Sequence, residues 1–327
     1  MRVAYYTAQG PAKETLKLGE QPTPEPGPGE VRVRIRMSGV NPSDWKARRG
    51  TRGAGMTAPM IIPHSDGAGD IDAVGANVGN RVGERVWIWN GQYRRPFGTA
   101  AEFIVIPSTQ AVRLPDNTEY TAGACFGVPL MTALQAVRLA ELSAHTTVLI
   151  IGGGGAVAHY AIQIAKRRRA RVITTVSNAA KADHARAAGA DDIINYRSEN
   201  VVARIRDLTG GTGVDALIDM DIAANGELYP SLLRPHATAV IYGTSENRVT
   251  LPTLSFMLNS LTLRLFRVYD IPEQVRAEAI TELTQLLEAD QLQHTIARVM
   301  PLDKIAEAHE LSEQGAVIGN MVLSVAP

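Results

Sequence analysis

The sequence predicts an α/β protein in which a compact β-barrel precedes a doubly wound parallel sheet. In the first third, short alternating apolar segments are separated by glycine turns, which is typical of an antiparallel barrel. From about Tyr120 onward, short apolar runs alternate with helical segments, which indicates parallel strands covered by helices on both faces. A chain of 327 residues is long enough for about two such domains.

The clearest strand of the barrel follows a Pro/Gly-rich segment. Val31, Val33 and Ile35 alternate with arginines, and this period of two predicts a half-buried antiparallel strand. Further short strands are predicted within residues 69–80, 81–90 and 98–115.

Six apolar runs are predicted to form the parallel sheet, and most are separated by helical segments. The predicted helices include Ala156–Arg169, Lys181–Ala188 and one near Glu273–Ala289, after which a helix and a final strand are expected to return to the first domain. The predicted strands are Val148–Ile151, Arg171–Val176, Asp192–Asn195, Val214–Asp219, Ala239–Tyr242 and Leu261–Arg267.

The composition excludes several classes of protein. The formal net charge is +0, so no global field favours nucleic acid or an anionic membrane. The single cysteine, Cys125, cannot form an intrachain disulfide and fits a reducing compartment. No apolar segment has the length of a signal peptide core or a membrane span, so we expect a cytoplasmic protein with neither a nucleic-acid nor a membrane partner.

Four glycines separate the first parallel strand from its helix in VLIIGGGGAVA. Gly153, Gly155 and Ala158 fit the pattern G-x-G-x-x-A, in which the first glycine permits a tight turn and the second lets a pyrophosphate approach the backbone. The strand before it and the helix after it are the context that this pattern requires. The motif therefore predicts a dinucleotide site, although a glycine-rich hinge is the alternative.

The end of the second strand favours NADPH over NADH. An NAD site carries an Asp or Glu about 20 residues after the glycine turn, whereas this chain has Ser177, Asn178 and Lys181 there. A hydroxyl and an ammonium would bind a 2′-phosphate that no carboxylate repels. Tyr196 follows the third strand and is expected beside the adenosine phosphate, with Arg197 near it.

Motifs that carry a family resemblance occur in order along essentially the whole chain: GVNPSDWKARRG (39–50), PHSDGAGDIDAVG (63–75), GERVW (83–87), GTAAEFIVIP (98–107), GVPLMTALQAV (127–137), AGADDIINYR (188–197), GVDALID (213–219) and AEAHE (306–310). With these motifs the chain resembles the zinc-free quinone oxidoreductases, the ζ-crystallin-like branch of the medium-chain dehydrogenase/reductase superfamily.

This resemblance implies a GroES-like catalytic domain, 1–121 and 291–327, and a Rossmann NADPH-binding domain, 122–290, with the active site in the cleft between them. It implies NADPH-dependent reduction of quinones or other activated alkenes and enones, commonly in a homodimer. Aligned to the motifs, the zinc-ligand positions of related enzymes fall in Gly39–Asn41, at Ser65 and near Val128, and we expect no metal. His64 neighbours the second position but is expected to be a hydrogen-bonded loop residue.

The resemblance also implies individual site residues. Asn41 matches an asparagine near the nicotinamide ribose or substrate, and Thr132 matches a threonine near the nicotinamide ring, unless it only bonds its own helix backbone. Lys46 stands where the family often has tyrosine, and it is either a charge beside the substrate or a surface lysine. Asn320 replaces a family lysine before the last strand, so a cationic phosphate contact is missing there. Further cofactor contacts are expected at the helix start and at the carboxyl ends of the fifth and sixth strands, from Ala156, Val157, Gly243, Thr244, Phe266 and Val268.

Two other functions remain open from the sequence. One is an enoyl-thioester reductase, which would need a basic surface from Arg48, Arg49, Arg52, Arg94 and Arg95. The other is a ζ-crystallin-like protein that binds NADPH without significant catalysis.

Overall fold

The computed structural model describes residues 1–51, 53 and 55–325. These described residues form two compact units, one from the ranges 1–129 and 282–325 and the other from the range 130–281. The predicted domain boundaries, after residues 121 and 290, stay a prediction.

The strands of the described residues are β1 (Arg2–Tyr5), β2 (Lys17–Glu20), β3 (Glu30–Gly39), β4 (Asp66–Val74), β5 (Arg85–Ile88), β6 (Phe103–Pro107), β7 (Ala111–Arg113), β8 (Thr147–Ile150), β9 (Arg171–Val176), β10 (Asp192–Asn195), β11 (Val214–Asp219), β12 (Leu233–Ile241), β13 (Thr262–Leu265), β14 (Ile296–Pro301) and β15 (Asn320–Ser324).

The α-helices of the described residues are α1 (Ala12–Thr15), α2 (Pro42–Arg49), α3 (Tyr120–Gly123), α4 (Met131–Leu139), α5 (Ala156–Arg167), α6 (Ala179–Ala187), α7 (Val201–Leu208), α8 (Ile222–Asn225), α9 (Tyr229–Leu232), α10 (Thr253–Leu258), α11 (Glu273–Glu288) and α12 (Ile305–Glu313). A π-helical turn, Phe126–Leu130, lies between α3 and α4.

The first unit is built around β3. This strand pairs antiparallel with β4, β6 and β15 in a mostly antiparallel sheet. Val31, Val33 and Ile35 are wholly buried, which confirms the predicted alternation. The last strand, β15, pairs with β3 through Val322 and Gly39, so the C-terminal segment returns to the N-terminal barrel as expected.

The second unit contains a six-stranded parallel sheet in the order β10-β9-β8-β11-β12-β13. The chain winds outward from β8 through β9 to β10 and then resumes on the other side of β8 with β11. This reversal of direction is the topological switch point of a doubly wound sheet, where ligands bind beyond the carboxyl ends of the strands.

Several predicted boundaries differ from the structure because local turns and caps decide where the elements begin and end. The sixth strand stops at Leu265 rather than Arg267, whose guanidinium pairs with Asp270 in the following 3-10 turn. The predicted helix to Arg169 ends at Arg167, and Arg169 takes a left-handed φ of 62°. The next helix begins at Ala179 because Asn178 caps it. No helix of the described residues is long and apolar enough to cross a membrane.

Candidate functional site

The glycine turn joins β8 to α5 and is tied to the neighbouring strand β9. The amide of Gly152 donates to Thr175 Oγ1 at 3.1 Å, and the amide of Gly153 donates to the Thr175 carbonyl at 2.9 Å. Gly153 and Gly154 are the central residues of a tight turn, which the Gly155 amide closes by donating to the Gly152 carbonyl at 2.9 Å, and the left-handed residue is Gly152, with φ 80°. Gly153 is also required by packing, because a Cβ there would lie 2.5 Å from Thr174 Oγ1.

Gly155 lacks a side chain for a different reason. Its φ of −88° suits any residue, and a Cβ at this position would meet nothing nearer than the Gly152 carbonyl oxygen at 3.4 Å. The fold therefore does not require glycine here. Gly155 is the N-cap of α5, and its missing side chain leaves open the backbone of Ala156 and Val157, whose amides have no partner within the helix. An anion fits this open helix start.

Lys181 lies against the same turn. A Cβ on Gly154 would come within 2.5 Å of Lys181 Cγ, so the lysine stem covers this glycine. Asn178 Oδ1 accepts from the Lys181 amide at 2.9 Å, so this side chain is used to cap α6. Among the described residues, no carboxylate oxygen lies within 4.0 Å of the Lys181 ammonium. The site therefore combines a helix N-terminus with a cation that has no acidic neighbour.

The third strand brings Tyr196 to the end of β9. Its amide donates to the Val176 carbonyl at 3.0 Å, next to Ser177 in sequence. The Tyr196 side chain is 47% exposed, and the Arg197 guanidinium lies 5.6 Å from its ring centroid. The structure thus gathers Ser177, Lys181 and Tyr196 around the carboxyl end of β9.

The residues predicted at the ends of the fifth and sixth strands differ in character. Gly243 has no room for a side chain, because a Cβ would lie 2.2 Å from the Met220 carbonyl oxygen. Thr244 is exposed, and its hydroxyl donates to the Glu246 carbonyl at 2.8 Å. Phe266 is half-buried, whereas Val268 is buried and its carbonyl accepts from Arg276 at 2.6 Å. Thr132 is buried in the first turn of α4.

In the barrel unit, Asn41 is held at several points. It is the N-cap of α2 and forms a capping box with Asp44, in which the backbone amide of Asn41 donates to Asp44 Oδ2 at 2.7 Å. Its side-chain Nδ2 donates to Asp66 Oδ2 at 2.8 Å. The same carboxylate oxygen accepts from the Val128 amide, in the π-helical turn, at 3.0 Å.

Lys46 and Asn320 have local partners in this unit. The Lys46 ammonium lies 5.7 Å from the centroid of the Trp45 ring, and Lys46 itself is half-buried. Asn320 is buried, and its Nδ2 donates to the Thr295 carbonyl at 3.2 Å. Arg48, predicted to lie in a basic loop, is instead wholly buried in α2, and Arg52 lies outside the described residues.

The expected zinc-ligand positions carry no ligand set. Ser65 offers only a hydroxyl, and the Val128 amide is bonded to Asp66. His64 is buried in a left-handed conformation, with Nδ1 2.8 Å from Ser38 Oγ and Nε2 2.9 Å from His309 Nε2. No group of three His, Cys, Asp or Glu side chains that could hold a metal occurs in the described part of the chain.

The hydrogen-bond chain through His64 has a defined direction. Thr99 Oγ1 donates to the Asp66 carbonyl, which can only accept, so Ser38 must donate to Thr99. His64 therefore donates from Nδ1 to Ser38 and accepts at Nε2 from His309. Burial lowers the pKa of His64 to about 3 and also lowers the pKa of His309, so both rings are neutral.

Sequence reasoning missed Asp66 and His309. Asp66 is fully buried, and burial raises the pKa of its carboxyl well above the usual range, while the bond from Asn41 opposes this shift. Asp66 lies three residues before the strand predicted within residues 69–80, where an acid ordinarily indicates a solvent-facing loop residue, so no local pattern marked it. Its partners come from residues 41 and 128, so only the folded chain brings them together.

Known proteins match both units. A family model described as alcohol dehydrogenase GroES-like domain matches residues 27–116, and one described as zinc-binding dehydrogenase matches residues 156–285. A quinone oxidoreductase of Pseudomonas aeruginosa is 31% identical over 266 residues, which cover 79% of this chain and 80% of that protein. The chain belongs to the quinone oxidoreductase family of the medium-chain dehydrogenases/reductases.

Solved structures extend the same similarity to the whole fold. The Escherichia coli quinone oxidoreductase complexed with NADPH is 25% identical, with a TM-score of 0.87 over 99% of this chain and 100% of that one. An NAD-dependent alcohol dehydrogenase is 29% identical, with a TM-score of 0.91 over 100% of both chains. The family is one of oxidoreductases, and the α/β fold with GroES-like and Rossmann parts is confirmed.

The geometry of Gly155 makes a sharp prediction. We expect Gly155→Val to fold with a melting temperature close to that of the parent protein, because the chain itself leaves room for the side chain. We expect it to weaken binding of a nicotinamide dinucleotide at least tenfold, or about 1.4 kcal/mol, because the new methyl groups would occupy the approach to the α5 amides. Fluorescence titration with the reduced cofactor measures this affinity.

Gly79→Val is the matched control, because a Cβ at Gly79 meets nothing within 4 Å and its φ is not positive. This control should keep both stability and affinity. Cofactor affinity that is unchanged in Gly155→Val would contradict a pyrophosphate site at this turn.

Proposed function

We propose that this protein is an NADPH-dependent reductase that transfers a hydride to quinones or other activated alkenes and enones without zinc. The observation that carries the proposal is the combination, in one member of the quinone oxidoreductase family, of an open α5 N-terminus with Lys181 beside it. The similarity to an NADPH-complexed quinone oxidoreductase supports the same choice of cofactor.

The preference for NADPH rests on charge at the end of β9. Ser177 and Lys181 can bind a 2′-phosphate, and the nearest acid in the following helix, Asp183, pairs with Arg186 at 2.6 Å. Arg197, stacked on Tyr196, adds a second positive charge near this region. An NAD site needs an acceptor for the ribose hydroxyls, and residues 177–181 provide no carboxylate for that purpose.

The zinc-free part of the proposal rests on the donor set. A catalytic zinc needs three Cys, His or carboxylate ligands around an open position. Ser65 and Val128 do not supply such groups, and both nitrogens of His64 are engaged in hydrogen bonds. The residues at these positions therefore do not fit zinc, and we route no step through a metal.

Substrates that are already electrophilic suit such a site. NADPH supplies the hydride when it is bound, and the protein has to align the acceptor and exclude water. Hydride addition to a quinone or enone leaves a delocalised phenolate or enolate, which an oriented N–H donor stabilises. Asn41 is the proposed donor, because only one of its two Nδ2 hydrogens is needed for Asp66.

The remaining contacts belong to the same proposal. Thr132 is proposed to lie near the nicotinamide ring. Lys46, whose ammonium lies near the Trp45 ring, is proposed to place a positive charge beside the substrate. The proposed cofactor contacts are Asn41, Thr132, Gly153, Gly155, Ala156, Val157, Ser177, Lys181, Tyr196, Gly243, Thr244, Phe266, Val268 and Asn320.

We also propose a homodimer that forms through β13. This strand is the edge of the parallel sheet, and an uncovered edge can pair with its counterpart in a second copy. The neighbouring helix α10 exposes Leu254, Met257 and Leu258 by 68%, 71% and 77%, and Leu265 of β13 is 65% exposed. Residues 254, 257 and 258 have the i, i+3, i+4 spacing of one helix face, and an exposed apolar face marks an interaction surface.

The first experiment tests cofactor and acceptor together. Chelator-treated protein is mixed with a small quinone and either NADPH or NADH, and oxidation of the cofactor is followed at 340 nm against a no-enzyme control. We expect rapid consumption of NADPH and much slower consumption of NADH. Tight NADPH binding without turnover would favour the enoyl-thioester or non-catalytic alternatives, and activity that is restored only by zinc would overturn the metal-free proposal.

The choice of cofactor depends on Lys181. We expect Lys181→Gln to raise the KM for NADPH about tenfold and to leave the KM for NADH nearly unchanged, because only NADPH carries the 2′-phosphate. Lys166→Gln is the control, since Lys166 lies near the other end of α5 and pairs with Asp191 at 2.7 Å. Equal effects of Lys181→Gln on both cofactors would argue against the phosphate contact.

The dimer can be tested by placing a charge on its proposed surface. We expect Leu258→Glu to convert a dimer into a monomer in light scattering, because an apolar contact would have to bury the new carboxylate. Leu18→Glu, at a half-exposed position of β2, should leave the dimer intact. A wild-type protein that is monomeric at micromolar concentration would refute the proposal.

A further inference from the structure

Asp66 is a buried acid without a compensating cation. Its side chain is fully buried, and no Lys, Arg or His nitrogen of the described residues lies within 4.0 Å of it. Both of its hydrogen bonds reach Oδ2, whereas Oδ1 is buried with no hydrogen-bond partner among the described residues. A carboxyl group in such surroundings is costly, so its presence calls for a specific task.

The two hydrogen bonds that Oδ2 of Asp66 accepts indicate the role of this residue. It accepts from the Asn41 side chain and from the Val128 amide, and these groups come from the N-terminus of α2 and from the π-helical turn. The bond to Nδ2 decides which way the Asn41 amide faces, because a flipped amide would turn its carbonyl oxygen toward the carboxyl oxygen. In the observed orientation the Asn41 oxygen accepts from the backbone of Asp44.

Asn41 is consequently immobilised with one free donor. Its backbone amide is bound to Asp44, its side-chain oxygen serves the capping box, and one of its Nδ2 hydrogens points to Asp66. Only the second Nδ2 hydrogen remains for a ligand. A donor that is held in place before the reaction stabilises developing negative charge better than one that must be reoriented.

We propose that Asp66 is the positioning residue for Asn41, and that it aims the remaining Nδ2 hydrogen at the bound acceptor or nicotinamide ribose. This inference rests on the proposed function, in which Asn41 contacts substrate or cofactor. Asp66 itself does not touch the reacting atoms. A proton on Oδ1 leaves Oδ2 free to accept both bonds, so the positioning works with a neutral carboxyl group.

The test is a double-mutant cycle between the two residues. Asp66→Leu keeps the approximate shape but removes the acceptor, and Asn41→Ala removes the donor. We expect each substitution to lower kcat about 10- to 100-fold, as the loss of one positioned donor does. We expect the double variant to be no slower than the worse single variant, because Asp66 acts through Asn41.

Asp66→Asn is the conservative variant, and it separates positioning from proton donation. Its amide oxygen can accept from both Asn41 and Val128, so we expect kcat within about threefold of the wild type and an unchanged pH profile. A large loss of kcat together with the loss of a limb of the pH profile would show instead that Asp66 donates a proton. This variant also carries the test if Asp66→Leu fails to fold.

The dissociation constant of NADPH is measured for the same four proteins. If the wild type binds NADPH but reduces no quinone, the proposed function is refuted. The double-mutant cycle is then calculated from the dissociation constants of NADPH instead of from kcat. Non-additive effects of Asp66→Leu and Asn41→Ala, on kcat or on NADPH binding, support positioning. Additive effects, or an Asp66→Leu protein that is less stable but has wild-type kcat and affinity, would overturn it.

Discussion

The central position of β8 in the parallel sheet is the constraint on which the cofactor side of the site depends. Because the chain leaves β8 first toward β9 and later resumes at β11, the turn after β8 lies at the switch point. Thr175 of β9 accepts two hydrogen bonds from this turn, one at its hydroxyl from the Gly152 amide and one at its carbonyl from the Gly153 amide. These bonds hold the α5 N-terminus beside the end of β9, where Ser177 and Lys181 lie.

The four glycines of the turn are not equivalent, and the difference has a physical basis. Gly152 is needed for its backbone angle, while Gly153 and Gly154 are needed because Thr174 and Lys181 occupy the space of a side chain. At Gly155 neither reason applies, since its backbone is ordinary and its surroundings are open. Of the four glycines, Gly155 alone is better explained by a ligand, because its missing side chain lets an anion approach the N-terminus of α5.

The barrel unit arranges its polar groups by burial rather than by charge pairing. Asp66, His64 and His309 are fully buried, and burial disfavours the charged form of each, because it raises the pKa of the Asp66 carboxyl and lowers the pKa values of the two imidazoles. These groups are joined by directed hydrogen bonds, so the Thr99–Ser38–His64–His309 chain has one consistent direction and Asp66 has one consistent pair of donors. Such a network orients side chains without the strong field that an ion pair or a metal would impose.

The sequence by itself determined the class of fold, the positions of the six parallel strands along the chain and the location of the glycine turn, because the periods of two and 3.6 and the turn residues are local properties of the chain. The order of these strands in the sheet came from the tertiary structure. The sequence also indicated Lys181 and Ser177, which lie at a calculable distance along the chain from the turn. Only the tertiary structure decided that Gly152 rather than Gly153 is left-handed, that Arg48 is buried, and that Asp66 binds Asn41 and Val128. The physical reason is that these outcomes depend on contacts between residues far apart in the chain, 25 and 62 residues for the two bonds of Asp66, and no local pattern carries a signal for such contacts.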